Sequence, residues 1–185
     1  SSEMKQGVRV PMGPAEVGFD ESYILPGSLD FGPYVFLKNQ VPVATPDKRI
    51  PGRDWPAKRH AMGEFWRAGK AMPGFDHRGV LPHLRDRAVS FIRRQTNAQP
   101  FFLFFPLTAP HTPWLPTKEF KGRSGAGMYG DFVTQVDDVA GDIVAALEQN
   151  RLTRNTLILF TSDNGAYWVS SEEKEVGHEA NGILR

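Results

Sequence analysis

Residues 156–166, Thr156-Leu157-Ile158-Leu159-Phe160-Thr161-Ser162-Asp163-Asn164-Gly165-Ala166, decide the fold. Apolar and β-branched side chains run unbroken and then stop at an acid, an amide and a glycine. That pattern predicts a buried strand ending in a turn. In an open parallel sheet, ligands bind just beyond the carboxyl ends of strands. A carboxylate beside an amide oxygen at such an end suits a hard cation, Ca²⁺ or Mg²⁺. The same residues also make an ordinary Asp-Asn-Gly turn, so this strand alone assigns no site.

A second strand, Phe101 to Phe105, carries a matching feature. It leads into Pro106-Leu107-Thr108-Ala109-Pro110-His111-Thr112-Pro113-Trp114, where prolines crowd around one histidine. Proline fixes φ and lacks an N–H, so this loop is stiff and holds one imidazole at low entropic cost. Between the two strands, Phe132, Val136, Val139, Ile143 and Leu147 recur at helical spacing and predict a helix over roughly Tyr129–Glu148. Strand, helix, strand is a βαβ unit, whose strands are parallel and end on one edge. His111 and the Asp163-Asn164 pair are therefore expected to open onto the same crevice.

Composition narrows the classes. The chain has 185 residues, 40% hydrophobic, with 22 basic and 21 acidic side chains and a formal net charge of +1. That is enough for one core and too short for two. The balanced charge gives no ground for a nucleic-acid partner, and no apolar run approaches a membrane span. The absence of cysteine excludes disulfides, thiolate zinc sites and a cysteine nucleophile within these residues. The arginines at 85, 87, 93 and 94 read as a solvated helix face.

Residues 1–80 are expected to be a loop-rich, substrate-side segment, and residues 81–185 the βαβ part of the same catalytic domain. In the first, Tyr34–Leu37 and Val41–Val43 predict a small hairpin joined at Lys38-Asn39-Gln40. Residues 46–79, punctuated by Pro-Gly-Arg, Trp-Pro and Pro-Gly-Phe, predict an irregular stretch of the kind that lines active sites. From Leu81, the positions Leu84, Ala88, Phe91 and Ile92 predict a second helix. Neither end carries a closing element, so the chain reads as the middle of something longer.

Three stretches carry a resemblance. Pro100 through Trp114, Tyr129 through Asp138 and Phe160 through Gly165 resemble, in order and spacing, the type I sulfatases (arylsulfatase family). Gly18-Phe19-Asp20 and Pro26 through Pro33 resemble that family's substrate-side loop. The resemblance implies an α/β, alkaline-phosphatase-like sandwich with a mostly parallel sheet, incomplete here. It implies sulfate-ester hydrolysis by a formylglycine nucleophile with one Ca²⁺. By motif, Asp163 and Asn164 match metal ligands, and His111 matches the catalytic histidine that touches the sulfate or leaving-group oxygen. Ser28 matches a polar residue near the sulfate. His178, in the polar Gly-His-Glu-Ala-Asn-Gly loop after the metal strand, is a candidate for the substrate entrance. The resemblance also suggests a periplasmic, secreted or lysosomal setting.

The departures are as informative. No Cys/Ser-x-Pro-x-Arg motif occurs, nor does the early Asp-Asp metal pair, the Gly-Lys-Trp-His segment or the Gly-x-Lys expected after Leu184-Arg185. Half a metal shell and no nucleophile imply weak or absent Ca²⁺ binding and an inactive isolated chain. An open sheet edge is expected to seek an oligomer or a complementary fragment. Two other readings stay open: a phosphate or phosphonate ester hydrolase of the same superfamily, and a non-catalytic binding module. Among the remaining candidates, His60, His77 and His83 read as packing or surface histidines, and Asp137 and Asp138 as a solvated helix face. Of Trp55, Trp66, Trp114 and Trp168, Trp114 is expected to border the pocket.

Overall fold

The computed structural model describes residues 4–53, 64–167 and 170–183; Trp55, His60, Trp168 and Leu184-Arg185 lie outside them. Strands β1 (Tyr23–Ile24), β2 (Leu37–Lys38) and β3 (Val41–Pro42) form one antiparallel sheet in that order. Strands β4 (Lys48–Ile50) and β5 (Gly69–Ala71) form a second antiparallel pair. Helices α1 (Val80–Arg93), α2 (Gly127–Gln149) and α3 (Ser170–Val176) follow.

The predicted hairpin is present. Asn39 and Gln40 turn it with φ of 48° and 66°, the paired positive angles of a two-residue hairpin turn whose twist matches the strands. Glutamine is an unusual residue for such a backbone, and its side chain explains the choice. Gln40 is buried; its Nε2 donates to Val10 O at 2.8 Å, and its Oε1 accepts from Ala15 N and Arg9, each at 3.1 Å. Those bonds bind the N-terminal segment to the turn. The expectation of an irregular stretch over 46–79 is corrected by β4 and β5. Their short sequences, Lys-Arg-Ile and Gly-Lys-Ala, carry no alternation that would mark them as strands.

The α2 stripe sorts into two apolar clusters. Phe132, Val136 and Val139 join Val80, Leu81 and Leu84 of α1 with Leu29, Phe36, Ala109 and Trp114. Ala146 and Leu147 join Ile92 and Leu152, with Ile143 packed against them. Both helices therefore run from the larger cluster to the smaller one. Asn150 closes the far end, its Nδ2 donating to the carbonyls of Ile92, in the last turn of α1, and of Gln95 just beyond it, at 2.8 Å each.

Residues 101–107 travel the other way. Phe101 and Leu103 pack on the smaller cluster, Phe105 and Leu107 on the larger. Phe102 and Phe104 between them are 75% and 65% exposed, so the period-two alternation of a strand is kept. After Leu152 in the smaller cluster, the chain returns to Ala166, which is bonded to Asn181 beside Ala180 on the larger cluster. The two segments thus run in the same direction, with α2 returning between them.

One expectation is corrected here. Residues 101–105 and 156–161 are not ladder strands, and all five described strands pair antiparallel. Among the described residues, no backbone hydrogen bond engages 101–105 or 157–160. Leu157, Leu159 and Phe160 stay 72–83% exposed and Ile158 48%. Hydrophobic pattern specifies what a segment buries, but a ladder also needs a neighbour.

Asp131 is a buried acid on α2 that holds the loop before that helix. Its Oδ2 accepts from Gly122 N at 2.7 Å, and its Oδ1 accepts from Ser124 N at 2.9 Å and Ser124 Oγ at 2.7 Å. Burial raises its carboxyl pKa, but the Ser124 and Gly122 hydrogen bonds outweigh it, leaving the group below the usual range. Asp131→Ala should therefore cost roughly 2–3 kcal/mol, read as a lower urea midpoint. An unchanged midpoint would mean that this carboxylate does not hold the loop.

His77 is likewise buried, stacked on Trp66 at 4.3 Å and edge-on to Tyr34 at 4.7 Å and Phe75 at 5.1 Å. Its Nε2 has no hydrogen-bond partner among the described residues. Burial holds its pKa at about 4. Its folded pKa lies below the unfolded one, so the unfolded chain binds the extra proton first and stability falls as pH drops from 6.5 toward 4. The stability slope between about pH 6.5 and 5, above the carboxylate range, should flatten in His77→Phe. An identical slope in both proteins would place the titration elsewhere.

Candidate functional site

The five candidate residues lie on loops, and their roots can be traced. Ser28 is half-buried beside Leu29, a member of the larger cluster. The next residue, Asp30, pairs with Arg67 at 3.0 Å, and Arg67 N donates back to Asp30 O at 2.8 Å. The Ser28 loop is thereby tied both to the core and to the turn before β5.

His111 is exposed on a loop anchored on both sides by the same cluster, through Ala109 before it and Trp114 after it. Trp114 is only 2% exposed, its ring 5.2 Å from Tyr129. It therefore roots the loop rather than bordering an open pocket, which corrects the expectation for that residue. The His111 Nδ1 lies 2.6 Å from Thr112 O. A carbonyl oxygen can only accept, so Nδ1 carries the proton and Nε2 is the free ring nitrogen.

His178 is exposed between Val176 and Ala180, both packed on the larger cluster. Its backbone N–H donates to Glu173 O at 3.2 Å, closing α3. Asp163 and Asn164 sit at an exposed bend. Ser162 Oγ donates to Asn164 O at 2.7 Å. On the other side, Asn181 accepts from Ala166 N at 2.7 Å and donates to Ala166 O at 2.8 Å. The loop with the candidate metal ligands is thus joined to the loop that carries His178.

The structure brings together the roots of these loops. Ser28, His111 and His178 each neighbour residues of the larger cluster, and the Asp163-Asn164 bend reaches it through Asn181. The direction of 101–107 and 152–166 delivers His111 and Asp163 to that same end. Sequence reading missed Asn181 altogether. Nothing in Ala-Asn-Gly marks it, because its partner lies 15 residues away in the chain.

The donor chemistry fits part of a hard-cation site. Asp163 and Asn164 offer oxygen atoms, and no side-chain hydrogen bond engages either carboxylate or amide among the described residues. Among those residues no group of three or more His, Cys, Asp or Glu converges. A cation that takes six or more oxygens would therefore draw further ligands from elsewhere.

A separate groove of about 660 Å³ lies between the start of α1, the middle of α2 and residues 117–123. It contains none of the five candidates. Two of its charged walls are already paired, Arg85 with Asp142 at 3.4 Å and Arg78 with Glu64.

Comparison with known proteins identifies the family. The sulfatase family model matches residues 47–182. Human N-acetylgalactosamine-6-sulfatase is 34% identical over 172 residues, which cover 91% of this chain and 30% of the relative. Human arylsulfatase H is 48% identical over 80 residues, 43% of this chain and 14% of the relative. A solved structure from Bacteroides thetaiotaomicron, described in connection with the metabolism of multiple glycosaminoglycans, aligns with a TM-score of 0.73 at 28% identity. It covers 93% of this chain and 42% of that one. The chain spans about 30% of the length of the N-acetylgalactosamine-6-sulfatases it matches. With a family model matching most of its length and a solved relative sharing its alkaline-phosphatase-like fold, the chain belongs to the sulfatase family.

Proposed function

We propose that this chain forms part of an enzyme that hydrolyses sulfate esters, with His111 at the scissile oxygen and Asp163 and Asn164 as ligands of a Ca²⁺ ion. The observation that supports this reading best is the common root of the candidate loops on one apolar cluster. When bound, the cation would neutralise charge on the sulfuryl oxygens. The nucleophile, a formylglycine by resemblance, would come from outside these 185 residues, so the chain alone would not turn over substrate.

The hydrogen bond at His111 sharpens its part. With Nδ1–H held by Thr112 O, Nε2 can donate a proton only from the imidazolium form. His111 would therefore act as a general acid toward the leaving oxygen. Ser28 would contact the sulfate, and His178 would line the substrate entrance.

The names of the N-acetylgalactosamine-6-sulfatase relatives support a sulfated amino sugar as substrate, and the family resemblance supports a periplasmic, secreted or lysosomal setting. No described helix is long and apolar enough to cross a membrane. Exposed Phe102, Phe104, Leu157 and Phe160 would be covered by further strands of the same protein or by another chain.

In a protein that joins this chain to its nucleophile segment, His111→Ala should lower kcat for an aryl sulfate by about 10²–10⁴ and leave bound calcium unchanged. Asp163→Ala should lower both. Full turnover in His111→Ala would remove the histidine from the chemistry.

A further inference from the structure

The bend with Asp163 and Asn164 has no sheet neighbour among the described residues, yet its backbone is tied at one point to a segment distant in sequence. That point is the Asn181 side chain, whose amide meets both the N–H and the C=O of Ala166, at 2.7 and 2.8 Å. One side-chain amide there does what an adjacent strand would do. We propose that Asn181 is a positioning residue that sets the geometry of the cation ligands Asp163 and Asn164; the proposal rests on the reading of that pair as ligands.

Gly165 supplies an independent mark of the same contact. A Cβ built on Gly165 would lie 2.7 Å from Asn181 Oδ1. Gly165 is not among the glycines with positive φ, so the backbone does not require glycine there. What requires it is room for the Asn181 amide. Oδ1 is the end of a side chain, but one hydrogen bond to Oδ1 and one from Nδ2 hold the amide, which cannot retreat from a new methyl group without giving them up. Gly165 and Asn181 thus form a lock-and-space pair directly after the ligands.

Asn181 is itself well placed to transmit position. Ala180 before it packs on the larger cluster, and its N–H lies 3.4 Å from Glu173 Oε1 of α3. The clamp therefore refers the ligand bend to the core that also roots the His111 loop. On the other side, Ser162 Oγ holds Asn164 O. The two contacts bracket Asp163 and Asn164 while leaving their side-chain oxygens open. Residues that orient ligands without touching the ion typically change affinity 10–100-fold when removed.

The test is a calcium chloride titration of a protein that joins this chain to its nucleophile segment, read by the amide chemical shifts of residues 162–166. Wild type should give saturable shifts, and Asp163→Ala should abolish them. Asn181→Ala should weaken the ion about tenfold and speed hydrogen exchange at the Ala166 amide, with the spectrum of α1 and α2 unchanged. Gly165→Ala should weaken binding by a similar factor, and the double variant should bind no worse than Asn181→Ala alone, because the methyl group then has nothing to displace. The inference is overturned if Asp163→Ala abolishes binding while Asn181→Ala leaves it within about twofold, or if the two substitutions are additive. No saturable shift in wild type, or an unchanged shift in Asp163→Ala, would remove the cation reading and this inference together.

Discussion

Trp114, Phe132, Leu81 and Leu84 exclude water from the place where α1, α2 and the His111 loop meet. Each large side chain buried there contributes roughly 1.5–3 kcal/mol, and truncating Phe132 or Trp114 would cost more, because a cavity remains behind. A loop is ordinarily the mobile part of a fold. Here the catalytic candidate is suspended between two core anchors, Ala109 and Trp114, and the prolines between them leave few backbone states. The same cluster receives Leu29 beside Ser28 and the Val176 and Ala180 contacts around His178. One apolar contact surface thus sets the relative positions of loops that are far apart in sequence.

Around that surface, polar groups are arranged as ties rather than as a second core. Asp131 collects the backbone before α2, Asn150 seals the end of α1, Gln40 fastens the N-terminal segment, and Asn181 grips Ala166. Each satisfies backbone groups that no helix or sheet satisfies. By contrast, the oxygens of Asp163 and Asn164 and the Nε2 of His111 are left unused among the described residues. Open polar atoms beside a rigid frame are what a ligand site needs.

Much of this was legible in the sequence, and the limits follow from physics. The two long helices were readable because their stripes repeat at 3.6 residues, and burial then followed the stripe. The hairpin at Asn39-Gln40 was readable from its flanking apolar pieces. Strands β4 and β5 were not, since their charged, three-residue sequences owe their pairing to neighbours. Trp114 was misplaced because an aromatic ring in a proline loop can face either core or cleft, and only packing decides. Residues 101–105 and 156–161 show the converse: their composition demands a partner, and local pattern cannot supply one. Asn181 was invisible because a side chain that replaces a strand leaves no periodic trace.

The most direct test of a shared site is paramagnetic. Mn²⁺, a hard cation of the same oxygen preference, added in small amounts to the labelled chain should selectively broaden the amides of 162–166. It should also broaden the His111 ring and the backbone at Ser28 and His178. Lys118 and Arg123 in the separate groove should stay sharp. Broadening confined to 162–166, with His111 unaffected, would contradict the claim that one core delivers these loops to one site.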